Sequence, residues 1–320
     1  MPAAFTPFQR FHRLAEAAAF LGVLFTLAGL LGRFAWFLEL FTHFKIQLAV
    51  CFVGYAALEF VARRRRRALA SLAFAAINAV PILVLSLPVG TGATPAPASA
   101  ARLRILQANI LSSNTNAPAL LALVARENPD VVVLEEPTVR WLRDLAPLSD
   151  RYPIHAARPR EDNFGAAIFC KTNARSAEIF LLSDPEEAPS SQARIGVGDK
   201  TITVVGTHPL APCCEAMWRG RNAFTHELAL RLKATQGPLV VTGDFNNTPW
   251  SATFQDFLAT SGLRDSAQGH GPLPTWPTAN PLLRIPLDHC FVSRDVQVIA
   301  KRLGPDIGSD HLPLIIDIAF

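Results

Sequence analysis

The sequence predicts a mixed α/β domain carried behind three membrane-spanning helices. Three observations lead there. Long apolar stretches crowd the first ninety residues, strand-like and helix-like runs alternate from residue 102 onward, and acid, amide and imidazole residues recur at the ends of the predicted strands. Half of the 320 residues are hydrophobic and 18% are charged, which argues against a disordered chain, a coiled coil or a purely cytoplasmic enzyme.

The apolar stretches are residues 14–31, 46–62 and 68–89. Each approaches the roughly 20 residues needed to cross a hydrocarbon core. The first two carry Glu16 and Glu59 near their ends, whereas the third has no charge in 22 residues. A buried hairpin in a soluble domain fits the first two, but not that charge-free third stretch.

Arginines 63–67 fill the link between the second and third stretches, and positively charged loops stay in the cytoplasm. Arg10 and Arg13 agree with a cytoplasmic N-terminus, while Arg33 and Lys45 in the outer loop oppose it weakly. The expected topology is a multi-pass anchor in a bacterial-type inner membrane, with the rest of the chain extracytoplasmic, in the periplasm. Residues 1–90 are read as the anchor, 91–101 as a linker within the Pro/Ala/Gly-rich stretch 88–101, and 102–320 as the folded domain.

The formal charge is +4, but it is unevenly spread. Up to residue 100 there are 9 basic and 3 acidic residues, and from 101 onward 21 basic and 23 acidic. The domain therefore has no net positive charge with which to hold a polyanion, and no nucleic-acid partner is expected. The five cysteines are too few for a disulfide scaffold. Cys213 and Cys214 either bond with Cys170 or Cys290 or remain thiols.

Within 102–320 the predicted strands are residues 103–108, 130–134, 165–170, 201–206, 239–242, 287–293 and 312–318. The predicted helices are 117–127 and 216–233. About 220 residues of this pattern suffice for one sizeable core.

The strand ends carry the chemistry. Asn109 follows the first strand, Glu135 and Glu136 the second, and His208 the run TITVVGT. Asp244, Asn246 and Asn247 follow LVVTG, Asp288 and His289 open a late strand, and Ser309, Asp310 and His311 precede the last. Taken singly, each has a structural reading: a turn asparagine, a helix cap, a loop charge. Together they supply the oxygen ligands, base and electrophile of a metal-assisted site on the rim of a sheet. HExxH and CxxC are absent, so the usual zinc signatures are missing.

The order NIL, LEE, TH, GDFNN, LDH, SDH resembles the endonuclease/exonuclease/phosphatase superfamily across residues 102–320. The resemblance implies a deoxyribonuclease-I-like four-layer α/β sandwich and phosphoester hydrolysis with Mg²⁺ or Mn²⁺. It also implies that Asn109, Glu136 and Asp310 hold or surround the metal. Asp244 and Asn246 would orient water and phosphoryl oxygens, His208 would stabilise phosphoryl charge, and His311 would act beside Asp288. Whether Asp244 or His311 is the base stays open. One departure stands out: Glu135 occupies a position where the family commonly has Gln, and it is expected to add negative charge to the site.

Three apolar stretches before such a domain look like the membrane phosphatases associated with vancomycin and teicoplanin resistance. That resemblance implies a membrane lipid substrate, a polyprenyl (undecaprenyl) pyrophosphate. A phospholipase-C or sphingomyelinase-like phosphodiesterase, an extracytoplasmic nuclease and a catalytically silent receptor are the alternatives. The stretch containing Met217, Trp218, Arg219, Arg221 and Asn222 is either a lipid- or phosphate-touching rim or one more amphipathic helix, and the helix reading is preferred.

Overall fold

The computed structural model describes residues 6–87, 99–182 and 188–320. The predicted linker thus lies largely outside the described residues. The chain divides into a helical unit and a larger α/β unit.

The helical unit contains α1 (Pro7–Leu30), α2 (Trp36–Glu39), α3 (Lys45–Val61) and α4 (Arg65–Ser86). A capping box starts α1: the Thr6 hydroxyl accepts from Gln9 N–H at 3.2 Å, and the Gln9 side chain accepts from Thr6 N–H at 3.0 Å. Both α1 and α4 are long and apolar enough to cross a membrane. The middle stretch differs from expectation. At 17 residues α3 is about 26 Å long, short of a bilayer core. It follows the short helical segment Trp36–Thr42 across a 58° bend, and a third span exists only if that bent pair counts as one.

Burial in this unit is inverted relative to a water-soluble bundle. Glu59 is fully buried 2.8 Å from His12, and buried Asn78 donates to Thr26 Oγ1 at 3.0 Å. Phe20, Leu69 and Leu83 point outward, at 63%, 67% and 60% exposure. Polar groups paired inside and apolar groups outside is the arrangement suited to a hydrocarbon solvent.

The α/β unit holds two six-stranded sheets. The first is built from β1 (Arg102–Asn109), β2 (Val131–Glu135), β3 (Ile154–Arg158), β4 (Ala166–Cys170), β11 (Gln297–Leu303) and β12 (Leu314–Ala319). Its order is β11-β12-β1-β2-β4-β3. The second uses β5 (Ala174–Phe180), β6 (Ser190–Val197), β7 (Lys200–Gly206), β8 (Leu239–Asp244), β9 (Arg264–Asp265) and β10 (Asp288–Val292), in the order β5-β6-β7-β8-β10-β9. β1 runs parallel to β2 and β7 to β8; the other pairs are antiparallel.

Side chains alternate across each strand, so every central strand feeds two cores. Ile105, Val131, Val133 and Ile168 from one sheet meet Ile195, Val204, Val240 and Cys290 from the other. The opposite faces pack on helices. Leu106, Val132 and Leu134 lie under α5 (Ala117–Glu127) and α6 (Val139–Asp144). Val205, Val241 and Phe291 lie under α7 (Glu215–Lys233) and α8 (Ala252–Ser261). The result is the four-layer helix–sheet–sheet–helix sandwich that the family resemblance implies.

The predicted strands and both predicted helices form, with ends shifted by up to two residues. Strands β3, β5, β6, β9 and β11 and helices α6 and α8 were not predicted. β5, for instance, is the edge strand ARSAEIF, whose exposed residues break a simple alternation. The cysteines are free thiols: Cys170 and Cys290 are buried between the sheets, Cys213 and Cys214 exposed at the start of α7. Burial pushes Cys170 up to about 12 and Cys290 to about 11, so neither is a nucleophile at neutral pH.

Candidate active site

The site forms where the inward-facing rows of both sheets reach their ends. Gln107 and Asn109 share one face of β1, and Glu135 continues the Val131–Val133 row of β2. Asp244 ends β8 directly opposite Asp288, which opens β10. His208 lies two residues beyond β7, and His311 sits in the turn before β12. Asn109, Glu136, His208, Asp244, Asp288 and His311 are all buried, at 7% exposure or less.

Asp244 is the hub. Its Oδ2 lies 3.4 Å from His208 Nε2 and 3.5 Å from His311 Nε2, and accepts from Asn109 Nδ2 at 3.2 Å. Its Oδ1 accepts from the Asn246 N–H at 2.9 Å. The far side of the His311 ring donates from Nδ1 to Asp288 Oδ2 at 2.7 Å. Burial alone would lower the His311 imidazole, but the Asp288 and Asp244 carboxylates outweigh it and raise it to about 10. His208 is raised too, its burial offset chiefly by Asp244. Burial would raise Asp244, but the two imidazoles and the Asn246 N–H hold it well below the usual carboxylate range. Asp244 is thus one carboxylate bracketed by two imidazole rings.

Asn109 Nδ2 also donates to Glu136 Oε1 at 2.9 Å, and Glu136 Oε2 accepts from the Ser112 N–H at 3.0 Å. Asp310 Oδ2 accepts from Trp276 Nε1 at 3.0 Å, while its Oδ1 is buried without a hydrogen-bond partner. The Ser309 hydroxyl donates to the Asn109 carbonyl at 2.7 Å, tying the SDH turn to the end of β1. Asn246 Nδ2 donates to the Pro209 carbonyl at 3.0 Å, linking the GDFNN loop to the His208 segment.

Backbone geometry is unusual at two of these residues. Glu136 and Asn246 have φ of 65° and 50°, a region that side chains rarely adopt and that is held here by surrounding hydrogen bonds. Gly243 is obligatory: a Cβ there would sit 1.9 Å from the Thr207 carbonyl oxygen. That close approach brings Asp244 beside the His208 segment.

Gln107 and Phe164 carry no sequence signal. Gln107 Nε2 donates to Glu135 Oε2 at 2.9 Å and to Asp288 Oδ1 at 2.8 Å, bridging two buried carboxyls. Glu135 therefore lies beside Asp288 beneath the Asp244–His311 cluster; burial first, and then Asp288, raise its carboxyl well above the ordinary range. Phe164 lies 5.5 Å from the His208 ring and Trp276 6.4 Å from the His311 ring, centroid to centroid. Arg221 is fully buried and donates to the Asn246 carbonyl at 3.1 Å, so it supports the loop from below and is no rim residue. His289 faces away from the site on β10, accepting the core between Phe245 and Phe254 as its neighbours, with Nε2 2.9 Å from the Asn247 carbonyl.

The donor chemistry fits a hard divalent cation: carboxylates at Glu136 and Asp310, an amide at Asn109, and an orphaned buried oxygen on Asp310. Among the described residues no three His, Cys, Asp or Glu side chains converge as a ligand set. Mg²⁺ keeps several waters and takes one or two carboxylates together with substrate phosphate.

Among solved structures, D. rerio TDP2 in complex with a single-strand DNA product aligns at 18% identity over 68% of this chain and 98% of that one, with a TM-score of 0.56. The human Nocturnin catalytic domain with bound sulfate aligns at 21% identity over 68% and 94%, with a TM-score of 0.56. Sphingomyelinase C from Streptomyces griseocarneus aligns at 19% identity over 68% and 99%, with a TM-score of 0.50. At these identities the likeness shows the fold alone. A search of curated proteins finds no match. Residues 106–311, which run from β1 to the SDH turn, match the profile of the Endonuclease/Exonuclease/phosphatase family. With two facing sheets between helices and that profile spanning most of the chain, the protein belongs to the Endonuclease/Exonuclease/phosphatase family, whose members hydrolyse phosphoester bonds.

Proposed function

We propose that this protein is a membrane-anchored, metal-dependent phosphoesterase acting on a lipid-linked phosphate at the extracytoplasmic face, with a polyprenyl pyrophosphate such as undecaprenyl pyrophosphate as substrate. The reading includes the anchor at 1–90, the linker at 91–101 and the catalytic domain at 102–320. It is the activity implied by the resemblance to membrane phosphatases associated with glycopeptide resistance. One observation carries it: a carboxylate bracketed by two imidazoles shares a chain with helices whose outward faces are apolar.

The residues divide the work. Glu136, Asp310 and Asn109 hold a Mg²⁺ or Mn²⁺ ion, which when bound offsets phosphoryl charge and polarises one oxygen. His208 and His311, both favoured as imidazolium, donate to phosphoryl oxygens as negative charge grows. Asp244 stays ionised and orients the attacking water, whose proton leaves on the orthophosphate product. Asp288 fixes the His311 ring, and Asn246 holds Asp244 through its N–H. Water oxygen bonds to the terminal phosphorus, the bridging P–O bond breaks, and the lipid monophosphate departs.

A second reading is a phosphodiesterase of phospholipase-C or sphingomyelinase type, favoured by the fold shared with sphingomyelinase C. The slightly acidic domain weighs against a nuclease. The readings separate in one panel on the detergent-solubilised protein: phosphate from undecaprenyl pyrophosphate, phosphocholine from sphingomyelin, nucleotides from single-stranded DNA. The lipid pyrophosphate is expected to be cleaved; phosphocholine release without phosphate release would replace the proposal with the second reading.

A further inference from the structure

Large apolar side chains are scarce on the surface of the α/β unit. Among the described residues from Arg102 onward, Val139, Leu230 and Ile299 are exposed singly, whereas Leu282 and Leu283 stand side by side in one loop. Leu282 is 83% exposed, more than the outward-facing Phe20, Leu69 or Leu83 of the helical unit. Single exposed apolar residues are ordinary; here two stand next to each other in one loop.

The loop is built to hold the pair outward. Its base is closed by Trp276 and Ile285, with the Ile285 N–H donating to the Trp276 carbonyl at 2.6 Å and the Trp276 N–H returning at 3.2 Å. Within the tip, the Leu282 N–H donates to Asn280 Oδ1 and the Leu283 N–H to the Asn280 carbonyl, both at 3.1 Å. The Arg284 guanidinium turns back to the Thr278 carbonyl at 2.7 Å. The N–H groups of Leu282 and Leu283 are therefore satisfied within the loop, which lowers the cost of placing these two residues in a medium of low dielectric. The opposite end of the loop touches the site: Trp276 Nε1 donates to Asp310 Oδ2 at 3.0 Å, and the Thr278 hydroxyl to the Ser309 carbonyl at 2.9 Å.

We infer that the 276–285 loop is a bilayer-docking element, with Leu282 and Leu283 seated in the interfacial region of the lipid surface that holds the chain's own helices. The occupant follows from reach. The fourteen residues 88–101 extend at most about 46–50 Å, so a lipid surface is always within range of the domain. Docking through a loop bonded to Ser309 and Asp310 holds the catalytic residues at headgroup height. The inference builds on the lipid-linked substrate proposed above, and its test reads docking and turnover separately.

The full chain is reconstituted in phosphatidylcholine–phosphatidylglycerol liposomes with the exposed Cys51, Cys213 and Cys214 replaced by serine. A nitroxide label is placed at Leu282→Cys and, as a control, at Glu178→Cys on the exposed edge strand β5. The label at 282 is expected to collide with oxygen more than with a water-soluble nickel chelate, and the label at 178 the reverse. In parallel, L282S/L283S is expected to slow hydrolysis of liposomal undecaprenyl pyrophosphate about tenfold. Its hydrolysis of a water-soluble short-chain pyrophosphate should be unchanged. A label at 282 as open to the chelate as the one at 178, or shielded from both reagents as by a protein partner, overturns docking even if the lipid is hydrolysed. A lipid-buried label without lipid turnover supports docking and overturns the substrate reading instead.

Discussion

His311 Nδ1 lies 2.7 Å from Asp288 Oδ2, while the other nitrogen of the same ring lies 3.5 Å from Asp244 Oδ2. The two carboxylates face each other across the β8–β10 pair, so the sheet register itself sets the width of the slot that holds the imidazole. Asp288→Asn keeps the shape and removes the charge. It is expected to lower kcat about 10²–10⁴-fold with KM little changed and the circular dichroism spectrum intact. Activity within a few-fold of the unmodified protein would remove the pair from the chemistry.

The same pair fixes a pH dependence. His311 is raised from its usual 6.5 to about 10, burial being outweighed by Asp288 and Asp244. A group raised on folding contributes stability that is complete below the unfolded value and is lost as pH climbs through the folded one. Hence the contribution is full below about 6.5 and fades towards pH 10. The alkaline limb of kcat should fall near pH 10, and Asp288→Asn should move it to lower pH; an unmoved limb would assign it to another group.

Glu135 offers a stability test. It is 2% exposed, its Oε1 has no hydrogen-bond partner, and its carboxyl is raised by burial and then by Asp288. The ionised form is disfavoured on folding, so the penalty is absent below about pH 4.5 and grows as pH rises above it. Glu135→Gln should therefore raise Tm at pH 8, by about 2–4 °C for each kcal/mol recovered, with no gain near pH 4. Equal Tm values at both pH values would show that Glu135 carries no buried charge.

Glu136 has its two oxygens on Asn109 and the Ser112 N–H, in a left-handed backbone conformation. Glu136→Gln is expected to shift Tm by no more than about 2 °C, the equivalent of about half a kcal/mol, while weakening Mn²⁺ binding, followed by titration calorimetry, about tenfold or more. Unchanged Mn²⁺ affinity would remove Glu136 from the ligands.

Much of this site is legible in the sequence because its groups follow apolar strand runs. A charge or imidazole directly after DVVVL, TITVVGT or LVVTG is placed at the rim by the strand itself. Asn109, Glu136, His208 and Asp244 could be named that way, Asp288 and His311 because they open or precede a late strand, and the structure brings all six together. Gln107 could not, since its role depends on two carboxyls, 28 and 181 residues away in sequence, meeting beneath it. Phe164 is illegible for the same reason, whereas Trp276, in the Pro-containing loop TWPT, could be read either as bordering the site or as ordinary loop packing, and it borders the site through Asp310. Arg221 is the one charged residue on the buried face of α7, and its full burial accompanies its hydrogen bond to the Asn246 carbonyl, which the sequence does not show. The bend before α3 escapes hydropathy altogether, because an apolar stretch records length and composition but not direction.

The central claim is best tested by Mg²⁺-dependent phosphate release from undecaprenyl pyrophosphate by the detergent-solubilised full chain, with His311→Ala assayed beside it. The account predicts release by the unmodified protein that is abolished by a chelator and lost in His311→Ala. A folded, metal-bound preparation that releases no phosphate from this lipid would contradict it.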